Sequence, residues 1–203
     1  MIDLRQILIG EPVNLRYIKR FSVCPRVHEE SVAEHSYYVA FFSMMLAEDL
    51  MKNTGIKIDL GKLLSRALIH DIDEVFSGDF IRMFKHNNVE VEESINRTSQ
   101  HLMEGFTSKY PAGQNLLKYW KEGKADDIEG KLLAFADFLS VLSYVWQEIM
   151  AGNVIMFRHL EELGKFCGTF AQEKYSFIKD YTTQTENMVK ELSSFDRGGW
   201  NAK

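Results

Sequence analysis

Ala67-Leu68-Ile69-His70-Asp71 closes an apolar run in which leucines recur at three- and four-residue spacing. This spacing is the period of a helix that turns one face toward a core. A histidine and an aspartate, both potential metal ligands, therefore stand side by side at the end of a core-facing helix. An isolated pair of this kind is also compatible with a solvated helix end, at which the aspartate caps the following segment.

The helical period recurs along almost the whole chain, whereas the alternation typical of strands is scarce. The sequence therefore predicts an all-α fold. Ser31-Val32-Ala33-Glu34 matches a capping box, which predicts a helix from there to about Lys52, ended by Asn53-Thr54-Gly55. Further helices are predicted over 60–71, 89–109, 113–122 and 131–150, with long amphipathic helices from Val154 onward.

The bulk composition predicts one domain. The 203 residues are 45% hydrophobic and 26% charged, which suffices to bury one sizeable core. No low-complexity segment or repeat of solenoid length marks an internal linker. We therefore expect a single helical domain over 1–193, followed by a flexible tail over 194–203.

The charge, cysteine and hydropathy patterns exclude several classes of protein. The formal net charge is −5 and no basic stripe is present, which argues against binding a nucleic-acid polymer. Cys24 and Cys167 lie far apart and neither belongs to a CxxC pair, so we expect reduced thiols. The amino terminus has no secretory pattern, and no apolar run approaches the roughly 20 residues that span a bilayer. These features predict a soluble, cytoplasmic protein without a membrane partner.

Two further potential ligands lie in apolar settings. On the helix that follows the capping box, His35 lies on the same stripe as Val32 and Val39, so it faces the core. A lone core histidine is often only a hydrogen-bonded residue. Asp137 lies within an apolar helix, where a carboxylate without a partner is costly, so a cation or a salt bridge must compensate it. One metal ion would serve all of these residues.

The candidate metal ligands are His35, His70, Asp71 and Asp137. Imidazole nitrogen and carboxylate oxygen form a mixed ligand set that suits Mn²⁺, Fe²⁺, Co²⁺ or Zn²⁺. Four protein ligands leave coordination positions for water or substrate. The lack of cysteine ligands disfavours a closed structural zinc site.

These four residues resemble the H…HD…D signature of the HD-domain metal-dependent phosphohydrolases. Glu34-His35-Ser36, the run over 70–79 and Ala151-Gly152-Asn153 resemble the bacterial HD-domain 5'-deoxynucleotidases in particular. The likeness extends in order over about residues 15–155. It implies an all-helical fold with one divalent ion at its centre (Mn, Co, Fe, Zn or Mg), bound by the four ligands. It also implies hydrolysis of a deoxynucleoside 5'-monophosphate to nucleoside and phosphate, by a homodimer.

The resemblance also implies roles for residues around the ligands. Arg20 would contact the phosphate, and Glu74 would assist the attacking water. Asp79 would lie close to the phosphate or nucleoside side of the pocket, and Ser77 would contact sugar or phosphate. Phe21 stands where family members commonly carry a tryptophan, so it is a candidate substrate-binding residue at which substrate preference is set.

Each role has a structural alternative. If the helix continues past Asp71, Glu74 faces the same way as His70, as a general base would need to; the alternative to a catalytic role is a surface glutamate. Asp79 alternatively caps a helix that begins near Phe80, and Ser77 alternatively only forms a turn. Arg20 suits phosphate oxygens, yet it also fits a solvated basic loop. His86 is near enough in sequence to line the pocket.

Two rival functions remain open at this point. The chain is alternatively an HD phosphohydrolase that acts on a nucleoside triphosphate, an alarmone or a cyclic nucleotide. The lack of a Gly-Tyr-Pro tripeptide disfavours the cyclic-dinucleotide branch. The other rival is a metal-containing protein that binds a nucleotide without hydrolysing it. Arg20 and Glu74 favour catalysis, because a structural ion needs neither a phosphate ligand nor a water-orienting carboxylate.

Overall fold

A computed structural model of the chain describes residues 3–80, 85 and 88–199, without the side chains of Gln6 and 195–199. The all-α prediction is confirmed, and β-structure within these residues is limited to one isolated bridge between Lys19 and Ser31. The described α-helices are α1 (Leu4–Leu8), α2 (Val32–Thr54), α3 (Leu60–Ile69), α4 (Glu74–Ser77), α5 (Val89–Thr107), α6 (Gly113–Lys121), α7 (Ile128–Met150), α8 (Met156–Cys167) and α9 (Lys179–Gly199). Short 3₁₀ helices cover Glu11–Tyr17, Glu122–Lys124, Gly168–Ala171 and Glu173–Ile178.

Helix α2 begins and ends where the sequence predicts. Ser31 Oγ accepts the amide of Glu34 at 3.2 Å, and the Glu34 carboxylate accepts the amide of Ser31 at 2.7 Å. Both bonds satisfy backbone donors that a helix start leaves without a partner. Gly55 follows the last turn with φ 71°, a left-handed conformation that glycine adopts without steric cost. The predicted capping box is thus confirmed.

Helices α3 and α7 differ from the predicted bounds. The helix predicted over 60–71 ends at Ile69, and the Ile72 amide then bonds to the Ile69 carbonyl in a tighter turn. The helix predicted from Lys131 begins earlier, at Ile128. It does so because the Asp127 carboxylate accepts the Gly130 amide at 2.8 Å and caps the first turn.

Contacts among the described residues divide the chain into two compact units. The first has the limits 1–24 and 29–136, and the second has the limits 25–28 and 137–203. The single domain over 1–193 stays a prediction. Of the predicted tail, the backbone up to Gly199 continues α9, and 200–203 lie outside the described residues. Among the described helices, none combines the length and apolar composition that a bilayer crossing requires.

Helices α2 and α3 pack together in the first unit. The first unit also contains a core of buried apolar side chains. This core contains Leu15, Val32, Ile72, Met103 and Phe106. In the second unit, Phe138 on α7 contacts Phe166 and Phe170, with ring centroids 5.7 and 5.3 Å away. These clusters account for the apolar faces that the helical period predicts.

A buried ion network joins α3 to the start of α7 within the first unit. Arg66 is 1% exposed, and its guanidinium donates to Asp127 and Glu122, each at 2.7 Å. Lys62, one turn earlier on α3, donates to Asp127 at 2.7 Å and to Glu129 at 3.0 Å. The network fixes α3 against the start of α7, within the first unit.

Candidate metal centre

Three of the four predicted ligands lie together in the first unit. One ligand atom each from His35, His70 and Asp71 lies within 4.8 Å of the other two. Asp71 Oδ2 lies 3.1 Å from His70 Nε2 and 3.5 Å from His35 Nε2. The two imidazole rings have centroids 5.3 Å apart. Both Nε2 atoms thus face the same carboxylate oxygen.

Local structure explains how these side chains meet. His35 lies on the buried stripe of α2 and is fully buried, as its spacing from Val32 and Val39 predicts. Helix α3 ends just before His70, and Asp71 lies in the following turn, where its carbonyl accepts the Glu74 amide at 3.1 Å. The end of α3 therefore places two adjacent residues against a histidine on α2.

The donor set fits a divalent cation. His70 Nδ1 lies 2.8 Å from the Ala67 carbonyl oxygen, which only accepts, so Nδ1 carries the proton and Nε2 carries the lone pair. Burial opposes ionisation of Asp71, but when His70 also carries a proton on Nε2, its charge and hydrogen bond outweigh burial and hold the pKa of Asp71 below its ordinary value. A metal cation bound at Nε2 in place of that proton would act on the Asp71 carboxylate in the same direction. An ionised carboxylate and an imidazole lone pair are the forms that bind metal.

Asp137, the fourth predicted ligand, lies half-buried on α7 between the buried Ala136 and Phe138. Its setting among apolar neighbours is the one that the sequence predicts. Its part in the metal centre stays a prediction.

Arg20 lies beside the histidines. Its Nη1 atom contacts His35 Nδ1 and lies 3.4 Å from Glu30 Oε2. Its side chain is only 13% exposed, so the alternative of a solvated basic loop is wrong for Arg20. Burial raises the pKa of Glu30 to about 7, although the charge of Arg20 acts in the opposite direction. Glu30 is not recognisable as a site residue in the sequence, because an acid directly before a capping serine is typical of any helix start.

Glu74 is buried at the start of α4, so the alternative of a surface glutamate is wrong. The helix does not continue past Asp71 to Glu74, because a turn separates α3 from α4. The position of Glu74 therefore does not result from the helical spacing considered in the sequence. Burial, reinforced by the charges of Asp71 and Asp79, raises the pKa of Glu74 to about 9. Its Oε2 atom has no hydrogen bond within the described part of the chain. A buried carboxyl with high proton affinity beside a metal site is typical of a group that moves a proton.

Asp79 and Phe21 meet at the loop that contains Arg20. The half-buried Asp79 carboxylate accepts the backbone N–H of Phe21; burial raises its pKa, although the Arg20 charge acts in the opposite direction. Phe21 has φ 52°, and the Arg20 guanidinium lies 5.9 Å from the centroid of its ring. Such a conformation is uncommon for an aromatic residue and is found most often at functional sites.

The remaining predicted residues are exposed or depend on segments outside the described residues. Ser77 is exposed and its Oγ donates to the Gly78 carbonyl at 2.9 Å, as in the turn-forming alternative. Gly78 has φ 74°. The cap role of Asp79 for a helix near Phe80 depends on 81–84, which lie outside the described residues, as does His86. Lys85 is described, and its charge acts on the pKa of Glu74 and Asp79.

The sequence of the chain matches one family of known proteins. A family model described as "5'-deoxynucleotidase YfbR-like" matches residues 12–185. A 5'-deoxynucleotidase of Vibrio cholerae is 24% identical over 171 residues, which cover 77% of this chain and 88% of that protein.

Solved structures share the fold. An HD-domain phosphohydrolase from Listeria innocua superposes with a TM-score of 0.70 at 20% identity, over 96% of this chain and 98% of the other. A cyanophage S-2L HD phosphohydrolase, solved with dA and one catalytic Zn²⁺ ion, superposes with a TM-score of 0.60 at 15% identity, over 90% and 96% of the two chains.

Proposed function

The chain belongs to the YfbR-like 5'-deoxynucleotidase family, and we propose that it is a metal-dependent phosphohydrolase that converts deoxynucleoside 5'-monophosphates to nucleoside and inorganic phosphate. The observation that carries the proposal is the cluster of His35, His70 and Asp71 with Arg20 against it. A metal-binding set and a phosphate-binding cation in contact are what phosphate ester hydrolysis requires.

In this proposal, the metal is held by His35, His70, Asp71 and Asp137. When bound, a divalent ion would polarise a phosphate oxygen and lower the pKa of a water molecule. The relative that carries a catalytic Zn²⁺ supports a metal here, and the mixed nitrogen and oxygen set admits Mn, Co, Fe, Zn or Mg.

Arg20 and Glu74 supply the remaining chemistry. The Arg20 guanidinium binds phosphate oxygens and offsets their charge, which its planar set of donors suits. The Glu74 carboxylate takes a proton from the attacking water, and its raised pKa makes it a stronger base than an exposed glutamate once ionised. The leaving nucleoside oxygen departs with a proton from solvent or from this group.

The substrate side of the site is formed by the loop around Arg20 and by the segment after Glu74. Asp79 holds the backbone of Phe21, so the two act together on the nucleoside. We propose Phe21 as a stacking surface for the sugar or base. Ser77 is proposed to contact sugar or phosphate after its bond to Gly78 is given up.

The proposal is tested by metal analysis of the purified protein, followed by a nucleotide panel. With Mn²⁺, Co²⁺ or Mg²⁺ added, deoxynucleoside 5'-monophosphates should release inorganic phosphate. Release of triphosphate or pyrophosphate from dNTPs or from an alarmone would instead identify another HD phosphohydrolase. Measurable binding without any turnover across the panel would identify a nucleotide-binding protein and contradict the proposal.

We also propose that the protein is a cytoplasmic homodimer, paired through α2. Opposite its buried stripe, this helix exposes a row of large apolar side chains, each 36–62% exposed. The row is Tyr37, Tyr38, Phe41, Met44 and Met45. It is symmetric about Phe41, with tyrosines on one side and methionines on the other. In an antiparallel pair of α2 helices, tyrosines of one copy would therefore meet methionines of the other.

The size of this row suits a second copy. Side chains that bury about 150–250 Å² each would leave on the order of 500 Å² open here. That is most of the roughly 800 Å² that one partner buries in a standard interface. Light scattering should give a dimer for the wild type and a monomer for Phe41→Glu, whereas Leu68→Glu on α3 should stay dimeric. A monomeric wild type at micromolar concentration would contradict the pairing.

A further inference from the structure

A buried carboxylate that the proposed mechanism does not use lies against Arg20. Glu30 is 7% exposed, and its Oε2 atom lies 3.4 Å from Arg20 Nη1. The two backbones are joined as well, because the Arg20 amide donates to the Glu30 carbonyl at 2.9 Å. Glu30 therefore meets Arg20 through both its main chain and its side chain.

The backbone around this pair is fixed. Next to the Arg20–Glu30 bond, the Val32 amide donates to the Ile18 carbonyl at 3.0 Å, and Lys19 forms an antiparallel bridge with Ser31. Helix α2 begins directly after this short pairing. The position of the Glu30 side chain is thus tied to the helix that contains His35.

Several carboxylates compete for the Arg20 guanidinium. The charge of Arg20 acts to lower the pKa of Asp71, Glu74 and Asp79, as well as that of Glu30. An Arg20 side chain drawn fully to Asp71 would neutralise a candidate metal ligand. A partner that holds the guanidinium away from Asp71 is therefore useful.

We propose that Glu30 is a positioning residue that holds the Arg20 guanidinium beside His35, in the orientation that binds the substrate phosphate. This inference rests on the proposed function, because it takes Arg20 as the phosphate ligand. Glu30 acts only through Arg20 and does not touch the reacting atoms. Its effect should therefore vanish when Arg20 is removed.

A double-mutant cycle tests this dependence. Glu30→Gln keeps the size of the side chain and removes its charge. With a deoxynucleoside 5'-monophosphate and added Mn²⁺, we expect kcat/KM to fall about tenfold or more, because misplacement of a binding group is costly. The loss should come mainly from a higher KM, with metal content unchanged. In the Arg20→Ala background the same change should have no further effect, and Glu30→Asp should restore part of the loss.

Glu29→Gln is the matched control, because Glu29 is the exposed neighbour and pairs with Lys19 at 3.2 Å. It should leave kcat/KM at the wild-type value. Wild-type kcat/KM in Glu30→Gln, or a loss that adds fully to that of Arg20→Ala, would overturn the inference while the proposed function stands. Unchanged turnover in Arg20→Ala itself would overturn both the phosphate role and the inference. If Glu30→Gln does not fold, Glu30→Asp carries the same cycle.

Discussion

The Oδ2 atom of Asp71 lies 3.5 Å from the Nε2 atom of His35, although the two residues come from different helical segments. The contact depends on α3 ending before His70, so that the next turn brings the carboxylate to α2. A cation at this point would join the start of α2 to the end of α3. The metal would then be part of the fold as well as of the chemistry.

Replacing Asp137 tests the fourth ligand. Asp137→Asn should lower metal content and phosphate release together, since an amide oxygen is a weaker ligand than a carboxylate. Asp126→Asn is the control, because Asp126 is exposed just before α7. Elemental analysis and phosphate release should be measured on the same preparations. Full metal content with full turnover in Asp137→Asn would remove this residue from the centre.

Replacing Glu74 separates chemistry from metal binding. Glu74→Gln should keep its metal and slow turnover by about 10²–10⁴-fold, the range that a general base contributes. The change keeps the shape of the buried side chain and removes its basicity. Single-turnover rates and metal content are the measurements. A wild-type rate would exclude Glu74 from proton transfer.

We predict that the free energy of unfolding depends on pH through the titration of Glu30. Its pKa is raised to about 7 in the folded chain from an ordinary 4.5. A group with a raised folded pKa stabilises fully below its unfolded pKa and loses this contribution as pH rises through the folded pKa. Relative to Glu30→Gln, the wild-type free energy of unfolding should therefore fall between pH 4.5 and 7. Urea unfolding at several pH values measures this, and parallel profiles for the two proteins would refute it.

We predict a clear loss of stability when Arg66 is replaced. Arg66→Ala would remove the buried partner of Asp127 and Glu122, although Asp127 keeps its bond to Lys62, and should cost about 2–3 kcal/mol of unfolding free energy through the lost charge-assisted hydrogen bonds. Lys131→Ala is the control, since it removes an ion pair with the exposed Asp126 and should cost at most about 1 kcal/mol. Denaturant unfolding measures both. Equal losses in the two variants would show that the network contributes no more than a surface pair.

We predict a comparable loss of stability in the second unit when Glu148 is replaced. This fully buried carboxylate accepts the amides of Val27 and His28 and the side-chain amide of Asn153, each at 2.7 Å. Glu148→Gln would place an amide donor against backbone donors and should cost about 2–3 kcal/mol. Gln147→Ala, at the exposed neighbouring position, should change the unfolding free energy little. Wild-type stability in Glu148→Gln would show that these bonds are replaced by water.

The sequence predicts what depends on local pattern. The capping box at Ser31 and the spacing of His35 are read within one or two turns, and both agree with the structure. The early end of α3 is not predictable in this way. The turn after Ile69 is held partly by the Trp120 indole, which donates to Asp73 at 2.9 Å from a distant helix. No glycine or proline marks the turn.

The burial of Glu74 and Glu30 depends equally on distant parts of the chain. Each carboxylate is an ordinary acid beside a helix start in the sequence, where a solvated position is the usual outcome. Only packing against the rest of the first unit removes water from them and raises their pKa. The cluster of His35, His70 and Asp71 was predictable because apolar residues at helical spacing surround or directly precede these residues in the sequence.

The cluster of His35, His70 and Asp71 is proposed to hold a divalent ion on which turnover depends. The direct measurement is phosphate release from a deoxynucleoside 5'-monophosphate by chelator-treated protein during titration with Mn²⁺. We expect no phosphate release before Mn²⁺ is added and full activity near one ion per chain. Undiminished release from protein shown by elemental analysis to carry no metal would contradict it.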